Sequence, residues 1–460
     1  MLFAGTKPSY SLFATFSYLY TALIKMDTSA YILSLEINNV RCFGEKAILD
    51  MSDGKSNWKK WTVIVGDNGT GKTSLLQALA LAEQKLSSSS NEVQSYHSIA
   101  FDRVSYPYGP SGISIFEREN SNRYISINLF GNTFDALQID LSNYNNGNVD
   151  IIGSTVFEGR QYKLVKIFGY GANRIMGETS LSDNLSKNSL SLFHDDAQLI
   201  NAEEWLLQLD YSASKASEVS DYLKKKRDKV LSTLKDILPD IDDIKITDPA
   251  KDNIRPTLQF HTPYGWVNIL QLSLGYKTMA AWIVDLAARM YERYPDSDNP
   301  LAEPAVVLVD EIDLHMHPKW QRKIFDYLDE KFPATQFIVT AHSPLVVQSA
   351  PEDANIVLLR REGNHVVIDN DIQNVHNWRI DQILSSDLFN TGLRSPAAEE
   401  WLNERKILLQ KDILSDKEKM RLQELNKKAD VLPAGNNQLE IEAMQVLQEA
   451  AAVYKKQTEE

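Results

Sequence analysis

The sequence predicts an α/β protein organised on a parallel sheet, and three observations predict it. Trp61-Thr62-Val63-Ile64-Val65, Ala305-Val306-Val307-Leu308-Val309 and Gln336-Phe337-Ile338-Val339-Thr340 are short apolar runs of the kind that strands buried on both faces require. Helical stretches alternate with them, as crossover connections between parallel strands demand. Each run also leads into polar, chemistry-bearing residues, at the edge where open parallel sheets receive ligands.

The composition admits such a fold and excludes others. The chain has 460 residues, 43% hydrophobic and 24% charged, which rules out a collagenous, wholly disordered or polytopic membrane protein. Its one cysteine, Cys42, excludes an internal disulfide framework and a cysteine-based zinc site, and points to a reducing cytoplasm. The net charge is −14, so a nucleic-acid surface must be a local patch. Ser11 to Ile24 is an apolar, aromatic run, shorter than the ~20 residues that span a bilayer. Residues 1–25 are read as an extension upstream of a start at Met26, with a signal peptide as the alternative, and no membrane partner is expected.

Ile32–Ile37 alternates as a strand, Asn38-Asn39 turns the chain, and Lys46–Met51 is a second short strand before Trp61–Val65. Ser74–Leu81 is a breaker-free helix that fades into Ser87–Ser90. Residues 95–170 are β-rich, with strands at Tyr124–Leu129 and Tyr162–Phe168, and Thr179–Ser191 reads as a mobile loop. Ala202–Leu238 has helical spacing, and strands return at Ile244–Thr247 and Thr257–His261. Trp282–Tyr291 and Trp320–Lys331 are helices, and beyond Asn370 the chain is helical and highly charged.

Gly66-Asp67-Asn68-Gly69-Thr70-Gly71-Lys72-Thr73 satisfies G-x-x-x-x-G-K-[ST], with a buried strand before it and a helix after it. The glycines let successive backbone N–H groups face phosphate oxygens, and the helix N-terminus adds partial positive charge. Lys72 is expected to reach the β- and γ-phosphates and Thr73 to ligate Mg²⁺, so that Gly66 through Ser74 bind a nucleoside triphosphate, ATP in the reading that the resemblance below implies. Val306–Val309 ends in two carboxylates. Since neighbours on a strand face opposite ways, Asp310 is expected to hold magnesium and Glu311 to act as base toward water. Ile338–His342 repeats the layout, placing His342 to contact the γ-phosphate. In Gln271–Lys277, Ser273 reads as an N-cap and Gly275 as the residue that lets an anion approach the helix amides. His315 and His317, two apart before Pro318, do not match a zinc signature.

The order of phosphate loop, Leu272–Tyr276, Asp-Glu and histidine resembles the ABC-type ATPase heads of the RecF/SMC branch. The resemblance implies a P-loop sheet with helices and an antiparallel β subdomain. It implies a Walker A at Gly66–Thr73, a signature at Leu272–Tyr276, a Walker B with catalytic glutamate at Val306–Glu311, a D-loop contact at Asp313 and a switch histidine at His342. It further implies two heads that sandwich two nucleotides, Ser273 and Gly275 acting in trans on nucleotide held by the other subunit's Lys72. The signature lacks the transporter ending Gly-Gly-Gln, and no Q-loop glutamine is assigned; Gly169–Arg174 stands in that region.

A narrower match runs through Leu274–Met279, Asp310–Pro318, Trp320-Gln321-Arg322 and Ala341-His342-Ser343-Pro344. These are similar to stand-alone ATPases of the overcoming-lysogenisation/RecF-like group, and Trp378–Leu384 makes the C-terminal region look most like the PtuA family of Septu-type anti-phage systems. That resemblance implies an ATPase without a nuclease site of its own, working with a separate HNH nuclease and with DNA. The implied organisation is an ATPase lobe over 26–200, a helical insertion over 201–250, and a second lobe over 251–370. A helical region for oligomerisation or partner docking follows over 371–460. There Leu439, Ala443, Val446, Leu447, Ala450 and Tyr454 form one apolar stripe. Within the insertion, Lys224–Lys229 is read first as a solvated helix face and second as a phosphate contact. A RecF-like repair ATPase, a transporter nucleotide-binding subunit and a nucleotide-gated scaffold are the alternatives to a defence ATPase acting as a homodimer or higher homo-oligomer.

Overall fold

Side chains that tolerate burial on both faces decide which strands occupy the centre. The computed structural model describes residues 31–55, 57–80, 166–177, 189–248, 254–372, 375–376, 378–391, 395–411 and 414–430. It also describes strand backbone at 84–86, 93–95, 124–130, 135–140, 144–145 and 148–149. Residues 1–25, the loop at 179–188, the strand start at 162–165 and the apolar stripe of 439–454 lie outside the described residues.

In chain order the elements that matter are β1 (Tyr31–Asn38), β2 (Ala47–Asp50), β3 (Trp61–Gly66), α1 (Lys72–Ala80), β4 (Tyr124–Phe130), β5 (Asp135–Asp140) and β6 (Ile167–Tyr170). There follow α2 (Ala202–Ser214), α3 (Ser220–Ile237), β7 (Asp243–Ile246), β8 (Leu258–Thr262), β9 (Gly265–Asn268) and α4 (Leu274–Arg293). Then come β10 (Ala305–Val309), α5 (Ile324–Lys331), β11 (Thr335–Thr340), α6 (Pro344–Ser349), β12 (Asn355–Glu362) and β13 (His365–Asp369).

The central sheet has the order β6-β10-β11-β3-β12-β13. Its first five strands are parallel and β13 closes the edge antiparallel to β12. Every residue of β3, β10 and β11 is buried, as their predominantly apolar sequences require. A second, antiparallel sheet, β2-β1-β4-β5, is the expected β subdomain. Leu35, Ile37 and Leu49 from it, Leu75, Leu76 and Leu79 from α1, and Val306, Leu308 and Ile338 from the central sheet form one core. At the opposite, N-terminal end of β3, Trp61 stacks on Phe337 at 4.4 Å and meets Phe325 of α5 edge-on at 4.6 Å. Its indole N–H donates to Asp329 at 2.8 Å, so the aromatic body is buried while its polar tip is satisfied.

Three expected elements differ from the structure. The helical run Ala202–Leu238 is two helices, α2 and α3, broken at 215–219 and folded back on each other. Arg227 pairs with Asp210 at 2.6 Å, and the Lys226 ammonium lies 5.2 Å over the Trp205 ring and 4.8 Å over Tyr291. Part of the basic run is thereby spent on closing this hairpin. The helix expected from Trp282 begins at Leu274 and runs to Arg293, because Thr278 through Tyr291 are all buried. The helix expected over Trp320–Lys331 is a four-residue turn, Pro318–Gln321, followed by α5. His317 caps that turn, its Nδ1 accepting from the Lys319 N–H at 3.2 Å.

The chain divides into two units, Met1–Ile383 and Leu384–Glu460. In the second, helices Pro396–Leu409 and Asp416–Asp430 pair, with Arg421 forking onto Glu404 at 2.9 and 2.7 Å. Among the described residues no helix is long and apolar enough to cross a membrane.

One buried polar cluster ties α4 to the central sheet. Asp285 accepts from Arg289 Nε at 2.6 Å, from the Tyr170 hydroxyl at 3.0 Å and from the Ile200 N–H at 3.1 Å. Burial opposes the Arg289 charge, but the Asp285 carboxylate outweighs it and holds the guanidinium above its usual range. Removing one member leaves an uncompensated buried charge. Asp285→Ala is expected to destabilise the fold by about 3–5 kcal/mol. Replacing Asp285 and Arg289 together with apolar residues of matching size should cost less than Asp285→Ala alone. Urea unfolding midpoints of the two variants check this.

Candidate active site

The site is assembled where β3, β10 and β11 end side by side. After β3 the loop turns at Gly69 and Gly71, both with φ near +80 to +90° (79° and 87°), and α1 starts at Lys72. A Cβ on Gly71 would also lie 2.5 Å from the Cys42 sulfur, so glycine is needed there for conformation and for space. Thr70 Oγ1 donates to the Asp67 carbonyl at 2.8 Å and stitches the loop. Lys72 is buried, and its ammonium donates to the Gly66 and Asp67 carbonyls at 2.8 and 2.9 Å. Burial lowers the pKa of this lysine, and the carboxylates of Asp310, Glu311, Asp67 and Asp313 oppose the shift. Ser74, on the first turn of α1, accepts from Arg41 at 2.8 Å.

Asp310 is 4% exposed and receives two hydroxyl hydrogen bonds, each 2.6 Å long. Thr73 Oγ1 donates to one oxygen and Thr340 Oγ1 to the other. The Thr340 oxygen in turn accepts from the Glu311 N–H at 2.7 Å. The separation of the two carboxylates comes about differently from the sequence expectation. β10 ends at Val309, and Glu311 stands in a left-handed turn with φ of 48°; strand alternation is not what parts the two side chains. Glu311 Oε1 comes within 3.9 Å of His342 Nε2, each side chain being about one-third exposed (35%).

Asp313 faces the same corner in its own chain, where both carboxylate oxygens accept from the His342 N–H at 3.2 Å. Gln321 secures the intervening turn. Its Nε2 donates to the Asp313 and Met316 carbonyls at 3.4 and 3.2 Å, and its Oε1 accepts from Ser343 at 2.6 Å.

Ser273 stands at the N-cap position of α4, exposed, but its hydroxyl makes no capping hydrogen bond. Gly275 is buried against the turn after β10, where a Cβ would sit 2.3 Å from the His315 carbonyl oxygen. The glycine therefore serves helix-to-turn contact, a role the sequence does not announce. Tyr276 packs edge-on against Trp320 at 4.5 Å and donates to the Pro239 carbonyl at 3.0 Å. Among the described residues no hydrogen bond joins Ser273 or Gly275 to Lys72, Thr73 or Asp310.

Arg174 is a residue that motif reading passes over. It lies in the loop after β6, 2% exposed, and its guanidinium reaches the carbonyls of Asp310 and Glu311. Burial pulls its pKa down to about 10, opposed by the carboxylates of Asp310, Asp313 and Glu311, so it stays charged at neutral pH. A lone arginine at the end of a Gly-rich stretch gives no period or motif that marks it out. Arg41 and Thr340 escape notice for the same reason.

Comparison with known proteins finds matches to ATPase families and to defence proteins. Residues 34–254 match a family model described as "AAA domain". Residues 169–348 match one described as "AAA domain, putative AbiEii toxin, Type IV TA system". The chain is 26% identical over 405 residues to the Septu protein PtuA of Bacillus mycoides, a match that covers 86% of this chain and 50% of that relative. It is 24% identical over 356 residues to the Septu protein PtuA of Bacillus thuringiensis, covering 74% and 82%. The chain is similar to Septu PtuA over most of its length and has the α/β fold of an ATPase head. The chain spans about half the length of the first of these relatives. A 94-residue stretch, 20% of the chain and 17% of the relative, is 48% identical to a retron Ec83 probable ATPase of Escherichia coli. An Smc head bound to the C-winged helix domain of ScpA aligns over 74% of the chain at 15% identity and a TM-score of 0.39; the fold class rests on the sheet order and loop placement, not on that distant likeness.

Thr340 is the hinge of the polar cluster. Thr340→Val removes the donor to Asp310 and the acceptor for the Glu311 N–H, and should lower stability by about 1–3 kcal/mol. Thr340→Ser, which keeps the hydroxyl, should retain most of it. Denaturation of the two variants side by side distinguishes the lost hydrogen bonds from lost packing.

Proposed function

We propose that this chain binds ATP with Mg²⁺ and hydrolyses it, and that a second copy completes each site. The observation that carries the reading is the Asp310 carboxylate, joined to Thr73 of the phosphate loop while Glu311 turns away toward His342. The backbone amides of Gly66–Thr73 and the first turn of α1 are suited to a triphosphate. Lys72 would exchange its two loop carbonyls for phosphate oxygens, which suits a buried ammonium whose present hydrogen-bond acceptors are uncharged. Thr73 and Asp310 offer the hard oxygen donors that Mg²⁺ takes, and the ion would supply charge neutralisation at the phosphates. Glu311 is placed to accept a proton from attacking water, with His342 beside it. Ser273, Gly275 and Asp313 are proposed to act across the dimer; the exposed position of Ser273 at the start of α4 supports this.

The biological setting follows from the relatives. Similarity to Septu PtuA over most of this chain supports an anti-phage defence ATPase in the cytoplasm. The motif resemblance adds a separate HNH nuclease as partner and DNA as the molecule on which the complex acts. The clustered lysines of α3 contribute less to that contact than their number suggests, because Lys226 and Arg227 are engaged within the hairpin.

Phosphate release by the purified chain tests the hydrolytic reading. Glu311→Gln is expected to lower turnover by roughly 10²–10⁴-fold, the usual contribution of a general base. Turnover equal to wild type in that variant would overturn the assignment of Glu311. The same variant mixed with ATP should move to twice the monomer mass in light scattering, whereas a mass that stays monomeric speaks against the shared site.

A further inference from the structure

We propose that Arg174 is the positioning residue of the hydrolytic base, fixing the turn that aims Glu311 while touching neither its carboxylate nor the nucleotide. The inference rests on the hydrolytic reading given above and deepens it. Strands β6 and β10 are parallel neighbours in register, Tyr170 opposite Val309, so the two loops that leave them run side by side. The Asp310 N–H donates to the Tyr170 carbonyl at 2.8 Å, the last rung before they part. Four residues later Arg174 reaches back across the gap. Nη1 donates to the Asp310 carbonyl at 2.5 Å and the Gly171 carbonyl at 3.4 Å, and Nη2 to the Glu311 carbonyl at 2.9 Å.

The consequence is a residue held at both ends. Thr340 accepts the Glu311 N–H and Arg174 holds the Glu311 C=O, which over-determines a left-handed φ of 48° that a glutamate rarely adopts. The arginine is itself braced. A Cβ on Gly171 would lie 2.0 Å from the Ser191 carbonyl oxygen, and the Gly171 N–H donates to Ser191 Oγ at 3.2 Å, so the loop is pressed against a second turn. The third guanidinium nitrogen, the buried Nε, makes no hydrogen bond to another described residue, so the two carbonyl contacts are made by the terminal nitrogens alone. The planar guanidinium holds the two carbonyls in one fixed fork, whereas a lysine ammonium on its flexible stem is a point charge and fixes their relative geometry less tightly.

The test compares wild type, Arg174→Lys, Glu311→Gln and the double variant, each full length, by ATP affinity in calorimetry and by single-turnover and steady-state hydrolysis. Arg174→Lys is expected to bind ATP within about threefold of wild type, with KM unchanged and kcat at least tenfold lower. In the Glu311→Gln background the same change should have no further effect, since residues that act as a unit are non-additive. Arg174→Ala should regain part of its kcat when guanidinium ion is added. Arg174→Gln, which can likewise donate to one carbonyl but not hold both in a fork, should show a kcat loss of at least the same size and replaces Arg174→Lys if that variant does not fold. A kcat within twofold of wild type overturns the proposal. So does a loss of ATP affinity that parallels the loss of kcat and adds in full to that of Glu311→Gln. If Glu311→Gln itself turns over like wild type, the hydrolytic reading fails first and the positioning role with it.

Discussion

A carboxylate that water cannot reach sets the terms for this site. Asp310 is almost fully buried, and a buried charge without partners costs several kcal/mol. Its two hydroxyl donors come from different parts of the chain, Thr73 from the phosphate loop and Thr340 from the neighbouring strand. Hydrogen bonds to a charged acceptor contribute about 1.5–3 kcal/mol each, so the pair offsets much of that cost. The phosphate loop, the acidic turn and the histidine turn are therefore bound to one another through a single side chain. The parallel sheet makes this possible, because it delivers the carboxyl ends of β3, β10 and β11 to one edge.

Around that carboxylate the structure adds a second tier made of ordinary polar residues. Thr340 and Arg174 hold the peptide of Glu311, and Gln321 holds the turn from Asp313 to Met316 against Ser343, next to His342. The N-terminal turn of α4 rests on the same turn through Gly275 and Tyr276. The start of α4 is thus in direct contact with the backbone of His315, two residues beyond Asp313.

Much of this was legible in the order of residues along the chain. The three buried strands are dominated by apolar residues, and the loop that leads to Gly71-Lys72-Thr73 leaves the end of one of them, so the phosphate loop had one place to go. Asp310, Glu311 and His342 sit at strand ends for the same reason. What escaped was everything that depends on contacts between distant segments. Nothing local to Arg174 says that its guanidinium will meet the carbonyls of residues 310 and 311, some 136 positions away. The left-handed turn at Glu311 is set by those contacts and by Thr340, not by the residue type. The break between α2 and α3 lacks a proline or glycine; it exists because Arg227 and Lys226 find their partners across the hairpin. The close approach of Gly275 to the His315 carbonyl, which leaves no room for a Cβ, is another contact between distant segments.

The central claim is that Lys72 and the amides around it are built for a triphosphate, the lysine resting on loop carbonyls that phosphate oxygens would replace. Titration calorimetry of the full chain with ATP and magnesium measures this most directly. The account predicts one site per chain and a heat that Lys72→Ala abolishes without shifting the melting temperature by more than a few degrees. No heat with the wild-type chain, or undiminished binding by Lys72→Ala, would contradict it.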